Sequence, residues 1–200
     1  MNGYLSLTVD IETCDIYDSA VITRIAITPF RFDEDKDVTF QELVDRTLYI
    51  SLDQEEQIAR GRTRNPSTEA WWASQPEDLR IESYYPTDKD LPVVEAFAEI
   101  KRFLSRWHYD HFNSMLFARN CGFEGFKLQS LNEMFIPDTK QVLNNWNWQE
   151  CKTVNFILSG GTTQKWNPPN MDELGFIYHR ADHDSAMDSF RMIKLWNGDI

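Results

Sequence analysis

The sequence predicts a mixed α/β domain in which helices cover a sheet. Three observations carry this. The early chain reads as strands of period two joined by short links; a long stretch of helical period follows; a short apolar strand then separates it from further helices. With 200 residues, 42% of them hydrophobic, one compact core over residues 1–200 is expected. No interdomain linker, internal repeat or low-complexity segment is visible in the sequence.

In "LSLTVDIET", Leu5, Leu7, Val9 and Ile11 alternate with Ser6, Thr8, Asp10 and Glu12, the pattern of a strand. "AVITRIAITPF" (20–30) and "FQELVDRTLYISL" (40–52) read as two more strands, parted by the acidic turn "DEDKD", so an antiparallel meander is expected. "NPSTEAWWASQ" (65–75) carries Pro and Ser/Thr at a helix start. "LPVVEAFAEIKRFLSRW" (91–107) spaces Val93, Val94, Phe97, Ile100, Leu104 and Trp107 as one helix face. "SMLFA" (114–118) is a short strand, "GFKLQSLNEMF" (125–135) a helix and "DTKQVLNNW" (138–146) a further helix. The Gly/Thr/Pro-bearing stretch 159–170 is expected to be a loop. A last helix runs from Ala181 to Trp196 with Ala186, Phe190 and Ile193 on its buried face and Leu195 off it.

Charge constrains the partners. The formal net charge of −12 does not attract nucleic acid to the molecule as a whole, so any such role requires local basic patches or cations bound in acidic pockets. No apolar run is long enough to cross a bilayer, and residues 2–4 do not resemble a secretory signal. Cys14, Cys121 and Cys151 are odd in number and lack a Cys-x-x-Cys, which points to a reduced, intracellular protein without a cysteine zinc site. Whether the chain forms a homodimer is left open.

The chemistry-bearing residues lie at both ends. Asp10 and Glu12, two apart on a strand, leave the same face. A strand this apolar is expected to be central, and paired carboxylates on its covered face call for a hard cation such as Mg²⁺ or Mn²⁺. Near the other end, "YHRADHDSAMDSF" holds His179, His183, Asp182, Asp184 and Asp188. By itself it admits a zinc pair, a proton-transferring histidine beside a metal-binding aspartate, or a solvated helix face. The zinc reading is weakened because Arg180 stands where H-E-x-x-H has glutamate.

Taken together, "VDIET" (Asp10, Glu12), "NCGFEGFKL" (from Asn120) and "HRADHD" (His179, Ala181, Asp184) resemble the three motifs of the DEDD 3′–5′ exonucleases with a catalytic histidine, the DEDDh family. "RNPSTEAWWASQPEDLR" further resembles the segment between the first two motifs in small phage exonucleases of the exonuclease A type. The resemblance implies a ribonuclease-H-like fold and two divalent ions, Mg²⁺ or Mn²⁺. It also implies hydrolysis of single-stranded nucleic acid from the 3′ end to nucleoside monophosphates, with DNA favoured over RNA. By the same resemblance Asp10, Glu12, Glu124 and Asp184 hold metal and His179 is the general base. A cytoplasmic setting, in a bacterial cell or a phage-infected host, follows. One position departs from the motif: Glu124 replaces the family aspartate, keeping the charge and adding one methylene. This leaves a second reading, a weak or inactive nuclease-like module that binds nucleic-acid ends or a protein partner.

Five residues separate His179 from Asp184, so His179 is expected on the loop before the helix, with His183 flanking Asp184. Asp188, one turn on, would border the site or sit on a solvated face. Substrate contacts are expected from Arg62 and Arg64, with Arg60 in the same basic run, to phosphates. Trp71 and Trp72 would stack on bases, one of the two being buried and one available. Asn120 and Phe123 belong to the second motif, Phe123 also reading as core. Thr13 and Cys14 would line a nucleotide pocket through backbone groups.

Overall fold

The computed structural model describes residues 4–137, 141–143, 145–163, 165–169 and 171–198. Its sheet has the order β3-β2-β1-β4-β5, built from β1 (Ser6–Thr13), β2 (Ile22–Phe30), β3 (Leu48–Ser51), β4 (Met115–Ala118) and β5 (Trp148–Glu150). The first three strands pair antiparallel and β4 and β5 add in parallel, so the sheet is mixed and β1 is its centre.

The two faces of β1 are covered by different chemistry. Leu7, Val9 and Ile11 pack with Phe97, Ile100 and Leu104 of α5 (Val93–Arg106) and Leu128 and Leu131 of α6 (Cys121–Phe135). The polar face lies under α8 (Ala181–Trp196), which presents small residues there. Ser189 Oγ donates to Thr8 Oγ1 at 2.7 Å, and the Thr28 and Ser185 hydroxyls pair at 2.8 Å. Short hydroxyl side chains let helix and sheet approach while each buried oxygen keeps a partner. Beyond Thr8 this cover runs out, and Asp10 and Glu12 emerge half-buried at the end of the strand.

Several expected elements change. The strand read over 40–52 divides into helix α1 (Phe40–Arg46) and β3. Thr39 and Glu42 form a reciprocal capping box, and Phe40 and Leu43 turn one apolar side inward, so local capping overrides the apparent strand. Helices α2 (Gln54–Ala59), α4 (Glu77–Ser83) and α7 (Cys151–Leu158), and strand β5, were not anticipated. The helix α3 (Pro66–Ala73) is capped by Asn65 as its sequence suggests. Val94 is exposed, and Ala96 and Phe103 complete the buried face of α5. Leu195 is buried, because α8 is enclosed by the sheet on one side and by α1 and α7 on others. Of the helix expected over 138–146, residues 138–140 and 144 lie outside the described residues, and Asn145–Asn147 form a single 3₁₀ turn. Helix α6 begins at Cys121 rather than Gly125, which puts Glu124 in its first turn.

Ser189→Ala should destabilise the fold by about 1–3 kcal/mol, because it strands the Thr8 hydroxyl under α8. Adding Thr8→Val should return much of that loss; urea unfolding of the single and double variants measures both.

Candidate active site

Three elements meet at the end of β1. The strand supplies Asp10 and Glu12, the first turn of α6 supplies Glu124, and the first turn of α8 supplies Asp184. Both helix starts point their unpaired amides and positive dipole ends at a place where negative charge gathers. His179 precedes α8 on a left-handed residue, φ 61°, a conformation uncommon outside glycine. There its backbone N–H donates to Asp184 Oδ2 at 2.7 Å. One potential ligand atom from each of Glu12, His179 and Asp184 lies within 4.8 Å of the others. The loop position expected for His179 is observed.

The acids disturb one another. Asp10 is held well above the usual carboxylate range by desolvation, then by the charges of Glu12, Asp184, Glu124 and Asp188. Burial and Asp184 do the same to Glu12, with Arg24 pulling the other way. Glu124 is pushed up to about 7 by burial, against the backbone amides of its own residue and Asn120. Asp184 is pushed up to about 7 by burial and then Asp188, against the His179 amide. One oxygen of Glu124, Oε2, is buried without a hydrogen-bond partner among the described residues. Crowded carboxylate oxygens with an unsatisfied buried acceptor fit hard divalent cations. Burial and the charge of Lys165 push the His179 imidazole down, keeping it neutral near pH 7.

A cleft of about 320 Å³ opens beside Glu12 and is lined in part by Thr13, Asp15, Thr68, Trp71 and Phe123, a size suited to a small ligand or single nucleotide. Trp71 is 41% exposed and meets the His179 ring edge-on at 4.9 Å. Trp72 is 1% exposed, donates its indole N–H to Thr13 O at 3.2 Å and stacks on Tyr84. The pair therefore divides as expected, and the stacking surface assigned to Trp72 is buried in the core. Thr13 is buried, and its hydroxyl donates to the Asp15 carbonyl at 2.8 Å. Phe123 is half-buried with the Lys127 ammonium 3.4 Å from its ring centre. Asn120 is exposed at the start of α6. The Cys14 thiol is buried, and burial raises its pKa to about 11.

The basic run is a correction. Arg62 is buried and donates to the carbonyls of Ala20 and Asp18 and to Ser130 Oγ. Arg64 is tied to Glu69, Gln54 and Tyr84, and Arg60 covers the Phe135 ring at 5.3 Å. The Arg62 and Arg64 guanidinium groups tie loops to the body of the fold, because a buried arginine must find oxygen partners. These two are not a free phosphate-binding surface, whereas Arg60 is exposed. The solvated reading of Asp188 also fails: it is buried and accepts from both Arg119 and Arg191. His183 is buried, its Nδ1 accepts from Ile177 N–H at 3.1 Å, and its ring packs against Phe40. It is absent from the ligand group that contains His179.

Sequence reasoning missed Arg24 and Arg119. Arg24 is 1% exposed, pairs in register with Glu12, and donates to the carbonyls of Thr23, Ile81, Glu82 and Tyr85. Its signal was available: a lone arginine inside the apolar run "ITRIAITPF". Arg119 showed no comparable signal.

The profile of a family described as the 3′–5′ exoribonuclease Rv2179c-like domain matches residues 5–196. The exodeoxyribonuclease of Enterobacteria phage T4 is 24% identical over 198 residues, covering 92% of this chain and 86% of that protein. The fold is similar to the nuclease domain of 3′hExo, a DEDDh family member solved bound to rAMP, with a TM-score of 0.62 at 10% identity over 97% of this chain and 92% of that one. It is also similar to cell-death related nuclease 4, CRN-4 (TM-score 0.58, 12% identity, 98% and 65% covered), and to E. coli exonuclease I (0.51, 10%, 98% and 42%). The ribonuclease-H-like architecture of the DEDDh nucleases is therefore the architecture of this chain.

The acids predict an inverted pH response in the absence of cations. A carboxyl whose folded pKa exceeds its unfolded value binds its proton more tightly in the native state, so stability falls as pH rises. For Glu124 the window runs from 4.5 to about 7, with a loss on the order of 3 kcal/mol once it is crossed. In EDTA the unfolding midpoint should therefore drop between about pH 5 and about pH 8, and saturating Mn²⁺ should flatten the slope. A midpoint that climbs over this range in EDTA would show that the cluster is not strained.

Proposed function

The chain belongs to the family of Rv2179c-like 3′–5′ exoribonuclease domains and is a 3′–5′ exonuclease of the DEDDh type, and from that premise we propose that it degrades single-stranded DNA from the 3′ end. The observation that carries the reading is the meeting of Glu12, His179 and Asp184 within 4.8 Å at the end of a central strand, beside a cleft of nucleotide size. The preference for DNA is supported by the exodeoxyribonuclease relative. RNA is the second reading, favoured by the family's own description.

Divalent ions fit the site, and Asp10, Glu12, Glu124 and Asp184 would hold two of them, Mg²⁺ or Mn²⁺. Bound there, such ions polarise phosphoryl oxygens and lower the pKa of an attacking water. His179, neutral near pH 7, takes the proton of that water on an imidazole nitrogen. Its position is over-determined: the left-handed backbone anchors it to Asp184, and the edge-on contact with Trp71 limits rotation of the ring. The exposed face of Trp71 and the half-buried ring of Phe123 offer stacking surfaces for the terminal base, worth about 1–3 kcal/mol each. Thr13 lines the same cleft and would meet the nucleotide through its backbone. Glu124 would hold its ion from the first turn of α6.

Matched 5′-labelled DNA and RNA oligonucleotides, incubated with Mg²⁺, Mn²⁺ or EDTA, test the reading. Stepwise shortening of DNA from the 3′ end, dependent on metal and faster than that of RNA, is expected. Faster loss of RNA would move the assignment to the second reading, and no shortening of either in Mn²⁺ would leave a binding module.

His179→Ala should slow cleavage roughly 10²–10⁴-fold with little change in unfolding midpoint. His183→Ala should do the reverse, lowering the midpoint because it removes a packed ring and the acceptor of the Ile177 amide. A larger rate loss at His183, or better activity with Zn²⁺ than with Mg²⁺, would overturn the assignment of the two histidines.

A further inference from the structure

The acidic chain must meet a polyanion somewhere, and Arg62 and Arg64 of the basic run are occupied within the fold. A different cation stands at the carboxylate cluster. In the parallel pairing of β1 and β4, Thr8 lies opposite Phe117. The pairing ends there, and Arg119 follows directly after the last residue of β4, Ala118. Thr8 and Phe117 both face α8, through the Ser189 hydroxyl and the Ala186–Phe190 cluster respectively. Arg119, two residues after Phe117, meets Asp188 of α8, one helical turn beyond Asp184.

The pairing around Asp188 is unequal. Arg191, with 2% of its side chain exposed, donates to Asp188 Oδ1 at 2.8 Å and to Asn167 Oδ1 at 2.8 Å, so the aspartate already has a buried counter-ion. Arg119 donates to the same oxygen while keeping 30% of its side chain exposed. Asp188 therefore does not depend on Arg119 alone for its counter-charge. The partly open arginine is held one helical turn from Asp184. Lys165 approaches the same rim, its ammonium 5.2 Å from the Tyr178 ring next to His179. An arginine has five donors in a planar fork that matches a phosphate.

We propose that Arg119, aimed by Asp188, grips a backbone phosphate of the substrate beside the metal-binding carboxylates, and that Asp188 is the residue that positions it. This rests on the nuclease reading above and assigns to that site its phosphate contact. The competing role for Arg119 is to offset the charge of the acids without touching substrate.

Binding of a 5′-fluorescein oligothymidylate, followed by anisotropy in an uncleaving Asp10→Asn background, separates the two. Adding Arg119→Gln should weaken binding about tenfold or more and reduce the slope of log Kd against log salt by about 0.7, the share of one single-strand phosphate contact. Oligonucleotides with one methylphosphonate placed at successive linkages from the 3′ end locate the contact. Neutralising the gripped linkage should cost the Arg119 protein affinity and the Arg119→Gln protein little. If Arg119→Gln melts too low to assay, Arg119→Lys keeps the ion pair and carries the same comparison, with a smaller methylphosphonate penalty expected. Equal penalties at every linkage in the compared proteins overturn the inference. An unmutated chain that cleaves while this comparison is flat removes only the Arg119 contact; one that neither cleaves nor binds removes the nuclease reading as well.

Discussion

Like charges held close together in a half-buried place are the constraint on which the rest of this structure depends. Asp10, Glu12, Glu124 and Asp184 repel one another at the end of β1, with Asp188 adding to the field behind them. The fold opposes that repulsion with fixed positive ends. The starts of α6 and α8 aim backbone amides at Glu124 and Asp184, a placement worth about 0.3–1 kcal/mol each at a helix terminus. Arg24 stands in register with Glu12, and Arg119 and Arg191 hold Asp188. The remaining imbalance is what a divalent cation relieves. Strain left in a metal-free site is thus the reverse side of affinity for metal.

The sheet explains why the acids can be placed so closely. A central strand with both faces covered has little freedom to move, and the hydroxyl contacts between β1, β2 and α8 set the helix close to the sheet. The cover ends where the first acid emerges, so one strand serves as core for most of its length and as a wall of the candidate site at its end. The cleft follows the same economy. Trp72 anchors α3 to Thr13 and Tyr84, which leaves its neighbour Trp71 standing over His179. Adjacent residues on one helix thereby provide the support and the exposed surface.

The arginines show how misleading local composition becomes once the chain has folded. "ARGRTR" is the densest basic run in the sequence, yet Arg62 and Arg64 are consumed by carbonyls, a glutamate and a tyrosine. Arg119, alone in its stretch, pairs with Asp188 one helical turn from Asp184 and stays partly exposed. A buried guanidinium needs several oxygen partners, and only the folded chain decides which arginines meet that need and which remain open to a substrate.

The sequence by itself determined the central strand, the antiparallel start of the sheet, the long helices α5 and α8 and the three motifs with their order. The strands and helices follow from periodicity, which depends on neighbours a few residues away, and the motifs from resemblance to a known family. It also placed His179 off the final helix, because a five-residue offset cannot keep two side chains on one face. The short helices α2, α4 and α7 were not legible, since helices of so few residues depend on packing more than on propensity. The strand misread over 40–46 had its answer in Thr39 and Glu42, a capping pair overlooked beside an apolar run. Only the tertiary structure decided that Asp188 is clamped by two arginines, that Arg24 faces Glu12, and that Leu195 is buried. Each of these depends on elements far apart in the chain brought into contact, and no pattern of local spacing encodes which distant partner a buried charge will find.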